Sequence, residues 1–377
     1  MYKEFVRPTL DLLDRTNIVP TETAHIWASN LLHLAEASPL TLKVLERLCA
    51  YKGARFSDER LKITVGGVPL ENFLMLGAGS DKQGITALAW HALGVASPEF
   101  GAVLFADQEG NPKKRQFVLA SEPGVILNRL GFNAKGVHAV IRNIKRYAKS
   151  GIPIGFNLGI NKEITSDEAP ILYGVVARAL KPYAAYFTIN VSSPNTPGLR
   201  NLQGKDTLTK IAQRVNAVMD ETGGRIPTFV KISEMPLGAV DDVIQVVVDE
   251  KLAGLVCINT TTDPDIKAKY GEHWRNEAGG LSGADPDYRK IVNTIIAHVY
   301  RSTEGQVPVI GVGGINGSSA ALETIKAGAQ GLQFVSGSRE VGLTLPGRIT
   351  RGVAEYLDKE RIGHVNDLVG IEANNYR

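Results

Sequence analysis

The chain of 377 residues carries 42 Lys and Arg against 39 Asp and Glu, 44% hydrophobic side chains and two cysteines. That length and apolar content can bury a large core, the near-balanced charge argues against a nucleic-acid partner, and the distant Cys49 and Cys257 make no metal-like or redox-like pair, as expected of a protein facing the cytosol. No apolar run reaches the roughly 18 residues of a membrane-spanning helix, so any contact with a bilayer is expected along its surface.

The chain opens on helical spacing. Residues 2 to 15 set Phe5, Leu10, Leu12 and Leu13 among charges, and after Pro20-Thr21 the residues Ile26, Trp27, Leu31, Leu32 and Leu34 recur mostly at helical intervals. Leu40 to Tyr51 repeats the pattern with Leu42, Leu45, Leu48 and Cys49. Short amphipathic helices of this kind cap a domain or lie on a bilayer, and nine basic against eight acidic residues in 1–62 favour neither. Residues 1–60 are therefore read as a helical extension, and 61–377 as the main domain. Leu61 to Asn72 predicts a small hairpin about Gly66-Gly67, because alternating apolar residues flank a turn that suits glycine.

From residue 73 a regular beat begins. Short β-favouring runs recur at 73–78, 100–105, 152–158, 186–192, 228–233, 254–260, 307–313 and 331–336. Amphipathic helical segments sit between and after them at 85–93, 135–149, 169–180, 206–221, 237–250, 285–302, 318–327 and 345–357. This alternation predicts a (β/α)8 TIM barrel with an N-terminal helical extension, in preference to a doubly wound sheet. Segments 106–134 and 261–284 become long loops after the second and sixth strands, and long loops in compact folds are usually functional.

Barrel chemistry lies at the C-terminal strand ends, and several runs here end in polar residues: Asp81-Lys82, Asn157, Asn190 with Ser192-Ser193, and Asn259-Thr260-Thr261. Lys231 sits between Val230 and Ile232, where an ammonium needs an anionic partner. The eight runs contain no acid, so a bound anion is the expected partner. Glycines follow the last two runs, at Gly313-Gly314 and Ser336-Gly337, where barrels bind phosphate through backbone N–H groups. A phosphate grip beside amides and a lone cation fits flavin mononucleotide (FMN), whose reduced ring carries negative charge that Lys231 would stabilise.

These residues resemble the dihydroorotate dehydrogenase family, in its membrane-associated, quinone-linked form. The likeness rests on Gly79-Ser-Asp-Lys-Gln-Gly84, Asn128-Arg-Leu-Gly-Phe-Asn133, Gly155-Phe-Asn-Leu-Gly159, Asn190-Val-Ser-Ser-Pro-Asn-Thr-Pro-Gly-Leu-Arg200, Val230-Lys-Ile232, Asn259-Thr-Thr261 and Gly279-Gly-Leu-Ser-Gly283, and it runs over most of the chain. It implies oxidation of dihydroorotate to orotate in pyrimidine biosynthesis, with hydride passing to FMN and a quinone as acceptor. Ser193 would take the substrate proton and Thr196 would relay it. Lys82, Asn128, Arg129, Leu130, Gly131, Phe132, Asn190, Asn195, Asn259 and Thr260 would hold the substrate. Ala78, Gly79, Lys82, Asn157, Asn190, Lys231, Gly283, Gly313, Gly314, Val335, Ser336 and Gly337 would hold FMN. The N-terminal helices would rest on a membrane surface facing the cytoplasm, the bacterial inner membrane or an organellar membrane in a eukaryote.

Four positions depart from the family pattern. Ala102 replaces a hydroxyl that contacts the flavin, Ile258 replaces a Thr, Val335 a Tyr, and Val118 the Arg expected near the quinone. Arg115, three residues upstream of Val118, is the candidate substitute. The departures leave two alternatives: an FMN barrel acting on another cyclic amide or enone, and an FMN-binding barrel without turnover.

Overall fold

The computed structural model describes residues 6, 7, 9, 20–196, 198–221 and 223–376. All eight predicted runs become parallel strands: β1 (Leu74–Leu76), β2 (Ser97–Val103), β3 (Gly155–Leu158), β4 (Tyr186–Asn190), β5 (Thr228–Ile232), β6 (Gly254–Cys257), β7 (Val309–Val312) and β8 (Gly331–Phe334). They close into one barrel in sequence order, β8 pairing back onto β1. Every predicted interstrand helix is present, from Ala87–Ala92 to Leu345–Glu360. Their starts have local causes: Asp285 Oδ1 accepts from the backbone N–H of Asp287 and Tyr288, each at 2.9 Å, and so caps the helix Pro286–Thr303.

The hairpin forms as expected, with Ile63 opposite Leu70 and Gly66-Gly67 at its tip. Gly66 has a positive φ of 54°, and a Cβ there would lie 2.5 Å from the Phe229 ring, so only glycine lets the tip close the bottom of the barrel. Above that plug, two-residue alternation turns polar side chains inward. Glu99 of β2, Asn157 of β3, Thr188 and Asn190 of β4, Lys231 of β5 and Gln333 of β8 are all buried.

The two long loops are more ordered than expected. Gln116–Ala120 and Val125–Asn128 form a hairpin, and Gly280–Gly283 from the loop after β6 joins its edge, Leu281 opposite Leu127. This three-stranded sheet lies over the C-terminal mouth of the barrel. The predicted helix over residues 2–15 falls largely outside the described residues. The next two helices form as α1 (Thr21–Ala35) and α2 (Pro39–Cys49). Ser38 starts α2 with a capping box, its Oγ accepting from Thr41 N at 3.2 Å.

Helix α1 is pinned at both ends by acids. Glu22 pairs with Arg115 at 2.7 Å; Glu36 pairs with Arg146 at 2.8 Å and accepts from Ala89 N and the Tyr147 hydroxyl. Burial raises the Glu36 carboxyl above its ordinary range, against these donors. Between and beyond the pins the helices leave Trp27, Leu31, Leu34, Leu40, Val44 and Leu48 in solvent, with Leu48 78% exposed. So much exposed apolar surface on one hairpin marks an interaction face. Among the described residues no helix is long and apolar enough to cross a membrane.

Candidate active site

A continuous polar chain runs from the barrel interior to the mouth. Glu99 accepts from Asn157 Nδ2 at 2.8 Å, Thr188 Oγ1 at 2.9 Å and Gln333 Nε2 at 2.7 Å. Asn157 Oδ1 accepts from Asn190 Nδ2 at 2.7 Å, Asn190 Oδ1 accepts from the N–H and hydroxyl of Ser192, and Ser192 Oγ accepts from Asn259 Nδ2 at 3.0 Å. Three predicted site residues, Asn157, Asn190 and Asn259, are thereby joined through Ser192 to one carboxylate. Lys231, directly beside Asn190 in the β4–β5 register, is buried and has no hydrogen bond or ion pair among the described residues. Burial pulls its ammonium below the ordinary range, and the charge of Glu99 pushes back.

Glu99 corrects one expectation. The run 100–105 predicts a strand from Phe100, which leaves Lys231 without an acid in any strand. The strand begins at Ser97, and its third residue is a fully buried carboxylate. Lys231 has a counter-charge inside the barrel, although it makes no direct bond to it.

The loop after β4 carries the second group. Ser193 and Thr196 are both buried. Ser193 Oγ accepts from Asn195 N at 3.3 Å, and no histidine or carboxylate is bonded to it among the described residues. Asn195 Nδ2 donates to Asn128 Oδ1 at 3.1 Å, joining this loop to the lid sheet. The buried hydroxyls of Thr196 and Thr260 have no partner among the described residues. Orphaned buried hydroxyls are unfavourable unless a ligand or water completes them. Gly198, with φ at 74°, turns the chain into the short helix Leu199–Gln203; Pro197 lies outside the described residues.

The third group surrounds Lys82. Asp81 folds the loop after β1, its two carboxylate oxygens accepting from the N–H groups of residues 83 to 86 and from Thr86 Oγ1. That wrap presents the half-buried Lys82, whose Nζ donates to Asn133 Oδ1. Asn133 Nδ2 in turn donates to Glu22 of α1 at 3.2 Å. Burial pulls the Lys82 ammonium down to about 8, with Glu22 opposing and Arg115 adding to the shift.

Arg129 and its neighbours serve the loops. Its guanidinium pairs with Glu277, donates to Lys114 O at 2.8 Å and lies over the Phe117 ring. Asn111 N donates to Leu130 O, and Gln108 Nε2 donates to the carbonyls of Gly131 and Phe132. These four residues shape the mouth, and the Arg129 side chain is occupied as a brace.

At the opposite side, Gly283 and Gly314 are explained by packing of the chain on itself. A Cβ on Gly283 would lie 2.0 Å from Gly124 O, and one on Gly314 would lie 2.8 Å from Gly283 O. Gly313 follows β7 with Gly314, and Ser336-Gly337 opens the helix Gly337–Val341 just past β8. Gly79 differs: its φ is 97°, Gly101 O accepts from its N–H at 2.8 Å, and nothing lies within 4 Å of its Cβ direction, so it and half-buried Ala78 border open space. Val335 is exposed at the mouth.

Ser336 also borders a small hollow shared with Val118, Ala120 and Ile126 of the lid, and with Arg7. Arg7 pairs with Glu122 at 2.7 Å and donates to Glu340 O, while its buried Nε has no partner among the described residues. Arg115, the expected substitute for the missing arginine at 118, is fully engaged with Glu22 and with the carbonyls of Glu109 and Asn111. The cation beside Val118 is Arg7. Sequence patterning offered only weak signals for these residues: Glu99 is a lone acid in an apolar run, and Arg7 and Glu22 belong to a segment whose docking is set by tertiary contacts.

The family model for dihydroorotate dehydrogenase matches residues 60–357. A protein named dihydroorotate dehydrogenase (quinone) from Chloroflexus aurantiacus is 37% identical over 358 residues, covering 93% of this chain and 96% of that protein. Its namesake from Rhizobium rhizogenes is 38% identical, covering 83% and 85%. Among solved structures, the dihydroorotate dehydrogenase of Eimeria tenella in complex with ferulenol is similar with a TM-score of 0.82 at 27% identity, covering 93% of this chain and 95% of that one.

Proposed function

The chain belongs to the dihydroorotate dehydrogenase family, and from that premise we propose that it oxidises (S)-dihydroorotate to orotate in pyrimidine biosynthesis, with FMN as hydride acceptor and a membrane quinone as final oxidant. The observation that carries the reading is the meeting at one barrel mouth of a buried, unbonded Lys231, an Asn157–Asn190–Ser192–Asn259 amide chain, and a loop bearing Ser193.

FMN fits the residues present. An ammonium removed from water without a bonded partner is costly, and the charge a flavin gains on reduction would relieve it. Gly79 leaves room for a flat ring beside β1. Bound FMN would supply the ring nitrogen that accepts a hydride. Lys231, Asn157 and Asn190 would hold the ring; Ala78, Gly79, Gly283, Gly313, Gly314, Val335, Ser336 and Gly337 would line the rest of its site. Lys82 would pair with the substrate carboxylate, and Asn128, Asn195, Asn259 and Thr260 would satisfy its ring amides. Ser193 would take the C5 proton and pass it toward Thr196. A serine without a basic partner has to act through geometry and an outward proton path, and its burial suits that role.

For the oxidising half, the acceptor headgroup would approach the lid beside Val118, where Arg7 is the cation. Residues 1–60 form the membrane-facing segment in this reading and 61–377 the catalytic barrel, so that the protein lies peripherally on a membrane, facing the cytoplasm. The exposed face of α1 and α2 supports it. The triple variant Trp27→Ser, Leu31→Ser, Leu48→Ser is expected to lose co-sedimentation with lipid vesicles and turnover with long-chain quinone embedded in them, while retaining turnover with a short-chain soluble quinone. Unchanged sedimentation would remove these helices from the membrane.

A further inference from the structure

Glu99 is fully buried inside the barrel below its mouth, and among the described residues its hydrogen bonds go to neither the loop of Ser193 nor Lys82. Each of its three neighbours offers it a hydrogen: Asn157 Nδ2, Thr188 Oγ1 and Gln333 Nε2. A carboxylate that only accepts forces the direction of everything bonded above it. The Asn157 amide must turn its nitrogen down to Glu99 and its oxygen up to Asn190. Asn190 must then give its nitrogen to Asn157 and its oxygen to Ser192, and Ser192 Oγ is left to accept from Asn259. Swapping one amide end would set donor against donor along the chain.

We propose that Glu99 is a positioning residue for the flavin chemistry: from below the ring its carboxylate fixes the direction of the amide chain and serves as the buried counter-charge to Lys231 in the same barrel. This rests on the reading that the mouth binds FMN. Lys231 has few other influences. Its register partners Asn190 and Val256 carry no charge. Tyr186, beside Glu99, and Cys257, beside Val256, are buried and keep their protons, since burial raises both. Glu99 and Lys231 are the only charged residues in the eight barrel strands, both are buried, and the charge of Glu99 opposes the burial that pulls the Lys231 ammonium down. The cluster is also sterically specified: Tyr186 lies across Gly155, where a Cβ would sit 2.0 Å from its ring, and its ring meets Phe229 edge-on.

Glu99→Gln separates charge from shape. The new amide can keep its oxygen toward Asn157 and turn its nitrogen toward Gln333, whose Oε1 has no partner and can accept after a flip. The amide chain survives and the counter-charge is lost. The readout is the midpoint potential of the flavin in the holoenzyme, measured with dithionite and mediators across pH. Two electrons bring one proton when Lys231 is already protonated, and a second proton when Lys231 must gain one to face the new negative charge. The slope of potential against pH therefore doubles above the pH at which Lys231 titrates in the oxidised enzyme. Glu99→Gln is expected to move that break down by about one pH unit or more.

Thr188→Val with Gln333→Leu removes two donors from the same carboxylate and leaves its charge less compensated, so it is expected to move the break upward, opposite to Glu99→Gln; it serves if Glu99→Gln does not retain flavin. A break at the unsubstituted position in either variant overturns the proposal. Purified protein without flavin would instead refute the parent reading, and because dithionite reduces the flavin, failure of dihydroorotate to do so would leave this measurement intact.

Discussion

Ser193→Ala slows the anaerobic reduction of the bound flavin by dihydroorotate by on the order of 10²- to 10⁴-fold, the usual contribution of a positioned proton acceptor. Flavin content and substrate affinity change little, because the hydroxyl accepts only one long bond, from Asn195 N at 3.3 Å, while the Asn195 side chain is held to Asn128, and Asn190 to Asn157 and Ser192. The expected signature is a fall in the single-turnover rate at saturating substrate with an unaltered oxidised spectrum. A rate within about threefold of the unsubstituted protein would be far below that contribution and would take the proton away from Ser193.

Lys82→Met raises KM for dihydroorotate on the order of 10²-fold, the loss expected when a partly buried charge partner of a carboxylate is removed. The pH dependence follows from the position of Lys82. Its ammonium is pulled down to about 8 by burial, so the form that pairs with the substrate carboxylate is complete below that value and is lost as pH rises through it. The ratio kcat/KM, which reports the free enzyme, therefore falls about tenfold per pH unit above the Lys82 value. In Lys82→Met that limb disappears and the low-affinity value persists to lower pH. A basic limb that survives the substitution would assign it to another group.

The barrel was legible because each strand is a short apolar run bounded by turn residues and each helix an amphipathic segment of fitting length. The hairpin was legible from Gly66-Gly67. The lid sheet was not, since Gly280–Gly283 pairs with Val125–Asn128 across about 150 intervening residues and each strand is too short to show a period. At the site, the loop from Asn190 to Arg200 declared itself by the density of short polar side chains. Glu99 was not legible because Ser97 and Pro98 precede it and keep the first three residues of the strand out of the apolar pattern; its carboxylate gives Lys231 a counter-charge inside the barrel without a direct bond. Arg115 failed as the substitute for a missing arginine because nearness in sequence says nothing of orientation: Glu22 and two carbonyls claim it, while Arg7, more than 100 residues away, reaches the hollow beside Val118.

The central claim is that this barrel mouth removes a hydride and a proton from dihydroorotate. It is tested most directly by anaerobic titration of the purified yellow protein with dihydroorotate, followed by flavin absorbance and by the orotate formed. Stepwise bleaching, complete with one orotate released per FMN, is the expected result. A fully oxidised flavin spectrum under saturating dihydroorotate would contradict it.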